Sequence, residues 1–217
     1  MDRLPTGVSV LDRELDGGVP SGSIVVLKAD PASQSELFLN TFSGARPTTY
    51  LTTVRSSAAV EQGFERAKIP PEDVTVDAID GSGHGGGSGD AGSTLENATA
   101  RLDAMPERGT LVIDSLGPLE AFDPEPYRRF LAALSERVTE TGGVAVLHAM
   151  TAPERSRNRI VSEQVADVVF DLRTTVSGTD VVNRLVVPKF RGGVPLDEPL
   201  KLKLTDGVAV DTSRDIA

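Results

Sequence analysis

Short apolar runs alternate with longer segments whose apolar residues recur every three or four positions, and this alternation fills the first two thirds of the chain. Residues 24–27, Ile-Val-Val-Leu, read as a buried strand and lead into a helix over 33–42. The pattern repeats as strand 48–53 and helix 56–68, then strand 74–79 and helix 93–105. A further buried run, 110–113, precedes the clearest helix, 124–139. There Tyr127, Phe130, Leu131, Leu134 and Val138 share one face, behind Asp123 as N-cap and Pro124 in the first turn. Residues 144–147 close the alternating part. Apolar strands separated by helices predict a parallel sheet covered on both faces. From residue 167 the period changes: 168–175, 180–188 and 200–204 are strand-like, with Ser177-Gly178 as a hairpin turn, which predicts an antiparallel extension of the same sheet. No boundary is visible, so a single domain over residues 1–217 is expected. Within it, residues 81–92 hold seven glycines in twelve and predict a flexible surface loop; no Lys or ordered glycine spacing makes them a phosphate cradle.

Composition narrows the function. The 217 residues carry 32 acidic and 22 basic side chains, a formal net charge of −10, which argues against a general nucleic-acid binder. The absence of cysteine excludes a disulfide scaffold, a thiol nucleophile and a cysteine-ligated metal, and two histidines, His84 and His148, are too few for a histidine cage. No apolar run approaches the roughly 20 residues of a membrane helix, and no signal-peptide core is present. The expectation is a cytoplasmic protein without a membrane partner. Arg outnumbers Lys 17 to 5 and Asp outnumbers Glu 18 to 14, while aromatics are 4%. Such a surface suits a high-salt cytoplasm, where screening removes self-repulsion, and points to a halophile; an ordinary acidic protein is the alternative.

Three blocks then stand out. Residues 7–22 read GVSVLDRELDGGVPSG and run into the first strand. Leu111-Val112-Ile113-Asp114-Ser115-Leu116 ends a buried run on a carboxylate, and Val187-Pro188-Lys189-Phe190-Arg191-Gly192 lies near the end. In this order and spacing they resemble the KaiC-like and RadA-like branch of the RecA-type ATPase superfamily. The resemblance implies a RecA-like P-loop NTPase fold of the α/β class: a mainly parallel central sheet flanked by helices, with antiparallel C-terminal strands. It implies that Asp114 corresponds to the magnesium-linked Walker B carboxylate. It also implies that Lys189 and Arg191 correspond to the K-x-R-G element that reaches the nucleotide of a neighbouring subunit in rings or filaments.

The turn after the first strand departs from that family. A phosphate loop reads G-x-x-x-x-G-K-[ST], with glycines for close backbone approach, Lys for charge and a hydroxyl for magnesium. This chain reads Ala29-Asp30-Pro31-Ala32-Ser33-Gln34-Ser35-Glu36. Set against the family pattern, Ala29 and Gln34 replace the glycines, Ser35 the lysine and Glu36 the hydroxyl. Losing the lysine forfeits roughly 1.5–3 kcal/mol. A carboxylate about 4 Å from phosphate adds repulsion of up to about 4 kcal/mol. Micromolar affinity amounts to about 8 kcal/mol, so ATP with magnesium is expected to bind weakly if at all. Ser33 and Glu36 also fit a capping box, which would seat a tethered carboxylate where phosphate belongs. At the end of the second strand the family's paired glutamates are replaced by Val54 and Arg55, so the water-activating base is missing as well.

No catalytic residue is assigned, and Asp114 is the sole candidate for a metal, with a structural cap as its alternative. His148 reads as a hydrogen-bonded edge histidine. Arg155, Arg157 and Arg159 are the one basic concentration, without an aromatic to stack on bases, and read as a solvated or acid-paired face. The leading expectation is a non-catalytic RecA/KaiC-like domain with an unidentified protein partner, as a monomer or dimer. Two readings stand beside it: an unorthodox ATPase completed by Lys189 or Arg191 in a homo-oligomer, and a RadA-like DNA-associated accessory protein using the arginine cluster.

Overall fold

The computed structural model describes residues 2–79, 91–177 and 180–211. The chain opens with β1 (Arg3–Leu4), α1 (Ser9–Glu14) and β2 (Val19–Pro20), and the two strands pair as a small antiparallel ribbon. The opening glycines have a steric cause. A Cβ at Gly18 (φ 116°) would lie 2.1 Å from the Leu4 carbonyl oxygen, and one at Gly7 (φ 86°) 2.5 Å from that of Thr41.

The alternating part follows as β3 (Ser23–Ala29), α2 (Ser35–Ser43), β4 (Thr48–Thr52), α3 (Ser57–Arg66), β5 (Val74–Ala78) and α4 (Ala91–Ala100). It continues with β6 (Thr110–Asp114), α5 (Gly117–Glu120), α6 (Pro124–Thr141), β7 (Val144–Met150) and α7 (Arg157–Val165). The last strands are β8 (Val168–Ser177), β9 (Asp180–Phe190), β10 (Leu200–Leu204) and β11 (Val208–Val210). Among the described residues the main sheet has the order β11-β10-β9-β8-β3-β7-β6-β4-β5. It is parallel from β8 to β5 and antiparallel from β8 to β11, as the change of period predicts. The glycine-rich stretch lies outside the described residues except for Ala91 and Gly92, which already open α4. Gly178 of the hairpin turn also lies outside them.

Strand alternation sorts the core into two layers. Val25, Leu27, Tyr50, Val112 and Val146 pack towards α1, α2 and α3. Ile24, Val26, Leu51, Ile113 and Leu147 pack towards α4 and α6. The apolar stripe of α6 is buried as predicted, but Asp123 at its N-cap makes no side-chain cap bond. The helix expected over 93–105 ends at Ala100 and continues as a single 3₁₀ turn, Leu102–Ala104. Pro106 is the cause: it holds Met105 in an extended conformation, ψ 123°.

Candidate functional site

The site lies where β3, β4, β6 and β7 end beneath the first turn of α2. Asp30 organises the turn after β3. Its Oδ1 accepts the Ala32 N–H at 2.8 Å, and its carbonyl accepts both the Ser33 N–H at 2.9 Å and the Ser33 hydroxyl at 2.6 Å. These local bonds compete with helix capping and win. The expected capping box between Ser33 and Glu36 is therefore absent: Gln34 is the N-cap residue, and it makes no side-chain cap bond. Glu36 lines a cavity between α2 and α3 and does not return to Ser33. The tethered carboxylate thus leaves the phosphate position, and what fills this corner of the fold is different.

Ser35, expected from the sequence pattern to stand where a phosphate loop has its lysine, points inward and is 1% exposed. Its Oγ lies 3.0 Å from His148 Nε2, and His148 Nδ1 lies 2.7 Å from Asp114 Oδ1. Asp114 and His148 are register partners at the ends of β6 and β7, on the α2 face of the sheet. The other carboxylate oxygen, Oδ2, accepts the Tyr50 hydroxyl at 2.6 Å and Arg55 Nη2 at 2.6 Å, and Arg55 Nη2 also reaches the Tyr50 oxygen at 3.1 Å. An ionised carboxylate only accepts, so His148 Nδ1 carries hydrogen, and Nε2 lies within hydrogen-bond distance of the Ser35 hydroxyl. The result is one buried polar chain running Ser35, His148, Asp114, then Tyr50 and Arg55.

Its electrostatics follow from burial set against partners. Burial works to raise the Asp114 pKa, but the hydrogen bond and charge of His148, the Tyr50 hydroxyl and the Arg55 guanidinium outweigh it and hold the carboxyl well below the usual range. Tyr50 is pushed well above the ordinary phenol value, by burial first and by the Asp114 charge second. Burial of Arg55 opposes its charge, yet Tyr50 and Asp114 raise its pKa overall. Asp114 is therefore a fixed anion whose two oxygens already hold three donors.

The spacing Ser35–His148–Asp114 has the order of an acyl-transfer triad: nucleophile to base, base to orienting carboxylate. Access argues against that use. The cavities on either side of the turn are lined by Ser33 and Gln34 on one and by Glu36 and Arg55 on the other, with the Ser35 hydroxyl sealed between them. Lys28 lies on the opposite face of β3, with Ile24 and Val26, where its Nζ is 3.6 Å from Glu163 and 3.8 Å from Asp171.

The remaining sequence candidates lie elsewhere. Lys189 Nζ donates to the Glu163 and Gln164 carbonyls at 2.8 and 2.9 Å, and Arg191 donates to the Gln164 and Val165 carbonyls and to Asp167. Both cations thus satisfy the open C-terminus of α7 in their own chain. The arginine cluster, expected as a solvated or acid-paired face, is acid-paired at Arg155 and Arg159 and is split between two environments. Arg159 is buried against Glu120, with Nε 2.7 and 3.0 Å from its two oxygens and Nη1 on the Met150 carbonyl. Arg155 lies 3.8 Å from Glu163, while Arg157 is exposed. Among the described residues no group of three or more His, Cys, Asp or Glu is placed to hold a metal, and no helix is long and apolar enough to cross a membrane.

Sequence reading assigned His148 to an edge, treated Ser35 and Arg55 only as losses, and passed over Tyr50. A signal was present. The buried runs 110–113 and 144–147 each end, one residue later, in a titratable side chain, Asp114 and His148, so parallel pairing in register brings the two together.

This architecture is a RecA-like α/β fold. A KaiC-like protein from the hyperthermophilic archaeon Pyrococcus horikoshii OT3 superposes with a TM-score of 0.75, covering 97% of this chain and 99% of that one at 19% sequence identity. The family model described as a family of unknown function, DUF7125, matches residues 3–217, and the chain belongs to that family. No curated protein matches it.

Proposed function

We propose that this chain is a non-catalytic RecA/KaiC-like domain, a regulatory or protein-interaction module that has lost phosphate-loop chemistry. The observation that carries the reading is the saturation of Asp114 by His148, Tyr50 and Arg55, with Ser35 standing where a lysine would meet phosphate. A magnesium ion on Asp114 would have to displace these donors, each contributing roughly 1.5–3 kcal/mol. Their sum is of the same order as the ~8 kcal/mol of micromolar nucleotide binding. Arg55 adds a positive charge where hydrolysis needs a carboxylate to orient water. Completion of the site by a neighbouring Lys189 or Arg191 is opposed by their bonds to the α7 carbonyls of their own chain.

The module works through surface contacts, as a monomer or dimer, in a salt-rich cytoplasm to which its net charge of −10 is suited. Calorimetry and phosphate-release assays with Mg-ATP test the reading: neither saturable magnesium-dependent heat nor turnover is expected. ATP turnover that disappears in Asp114→Asn would overturn it. Light scattering with and without Mg-ATP should give one unchanged mass. Circular dichroism from low to molar KCl should show structure gained with salt.

A further inference from the structure

We propose that the cavity between α2 and α3 binds a small anion bearing a carboxylate or phosphate group, with Arg55 as its inner anchor. The cavity has a volume of about 700 Å³ and is lined by Asn40, Arg55, Gly63, Arg66 and Lys68, with Glu36 and Asp206 completing the wall. On a chain with 32 acidic and 22 basic side chains, three cations facing one hollow against two carboxylates is a local reversal of sign.

Uncommitted donors separate this cavity from an ordinary charged surface. Arg55 spends Nη2 on Asp114 and Tyr50, which fixes the side chain, while its Nε and Nη1 have no partner among the described residues. The Arg66 and Lys68 side chains make no hydrogen bond or ion pair among the described residues. The Asn40 amide, 9% exposed, has no hydrogen-bond partner there either. The Asn40 side chain lines the cavity, where its amide can donate to an acceptor that enters. Gly63 keeps the space open in the middle of α3, where glycine weakens a helix. A Cβ there would meet only Asn40 Nδ2, at 3.9 Å, so alanine fits and a larger side chain projects into the hollow. Guanidinium, amide and ammonium donors converging on one space suit carboxylate or phosphate oxygens. An anion held there shares Arg55 with Asp114, which links the cavity to the buried chain that ends at Ser35.

The test is calorimetric titration of the full chain with inorganic phosphate and, separately, with citrate, at constant ionic strength. Saturable one-to-one binding of at least one is expected, and which one binds identifies the group. Affinity should fall at least about tenfold in the Arg66→Gln/Lys68→Gln double variant, corresponding to about 1.4 kcal/mol. Binding should vanish in Gly63→Leu and persist in Arg13→Gln, which removes an exposed cation on α1. The double variant changes only exposed side chains, so it remains informative if Gly63→Leu melts early. No saturable binding of either anion overturns the proposal, and so does full affinity in the double variant or in a folded Gly63→Leu protein. The non-catalytic reading is judged separately, because it concerns magnesium-dependent ATP binding that requires Asp114, whereas this site requires neither.

Discussion

Two buried arginine–carboxylate clusters lie on opposite faces of the same sheet, and they are built differently. On the α2 face, Asp114 is held by residues from two strands and one loop, and its arginine, Arg55, keeps 39% of its side chain exposed towards a cavity. On the α6–α7 face, Glu120 at the end of α5 is held by Arg159, whose side chain is only 9% exposed, and by Ser162, which also meets the Tyr127 hydroxyl at 2.8 Å. Asn158 ties the same loop by donating to the Glu120 and Phe122 carbonyls at 3.0 and 2.7 Å. The second cluster is a lock between helices, and both of its charged side chains are buried. The first has a partner that can still reach water, so it can loosen without unfolding the core. A buried ion pair is costly to break in proportion to how little solvent can replace the lost partner.

That contrast ranks the consequences of mutation. Glu120→Ala strands Arg159 in the interior and should cost about 3–5 kcal/mol, the range for breaking a buried pair by removing one partner. Chemical denaturation should show a large fall in midpoint. Asp114→Asn keeps the shape and some hydrogen bonds, and the freed Arg55 can turn into its cavity. A loss of about 2 kcal/mol is expected, by discounting the buried-pair figure for that exposure. Equal losses for the two variants would show that the exposure of Arg55 does not set the cost.

The contrast also marks how far the sequence could be read. Continuous apolar runs and 3.6-residue stripes made the order and type of the main elements legible, because burial on both faces leaves a plain apolar signature. Arg155, Arg157 and Arg159 looked like one basic patch because sequence spacing cannot say that helix α7 turns Arg159 towards Glu120, 39 residues earlier. The Ser33–Glu36 capping box failed for a local reason: Asp30 and Pro31 form a turn that claims the Ser33 hydroxyl first. Ser35, Tyr50 and Arg55 were silent because their meaning depends on which strands are neighbours. The order β3-β7-β6-β4 is set by crossovers, and no local pattern encodes it.

Acid separates the two clusters further. The Asp114 pKa is depressed, so its contribution to stability is present in full above the unfolded value near 3.9 and is lost as pH falls through that value towards the lower folded one. Wild-type protein should therefore lose stability between about pH 5 and 2 more steeply than Asp114→Asn, in denaturation series at fixed salt. At the other extreme both tyrosines, Tyr50 and Tyr127, have raised pKa values, chiefly through burial. Their contribution is present below about pH 10 and is lost as pH rises beyond it. With no tryptophan in the chain, phenolate absorbance reports these two groups alone. It should appear in a single step together with the loss of circular dichroism. An early phenolate step in folded protein would place one tyrosine in contact with water.

The smallest effect belongs to the end of the polar chain. Ser35→Ala removes one hydrogen bond and leaves His148 Nε2 without its partner, which should cost about 1 kcal/mol. Restoring the family's lysine is a different perturbation. Ser35→Lys brings an ammonium into a closed space beside His148, and the carboxylate behind that ring, Asp114, is already shared by three donors. Gln34→Gly/Ser35→Lys/Glu36→Thr should therefore leave Mg-ATP binding undetectable by calorimetry while lowering the melting temperature. Adding Arg55→Glu frees Asp114 from its guanidinium and supplies the missing carboxylate, and only that fourfold variant should regain measurable nucleotide affinity. Recovery in the threefold variant alone would mean that the turn after β3, and not the occupation of Asp114, is what excludes nucleotide.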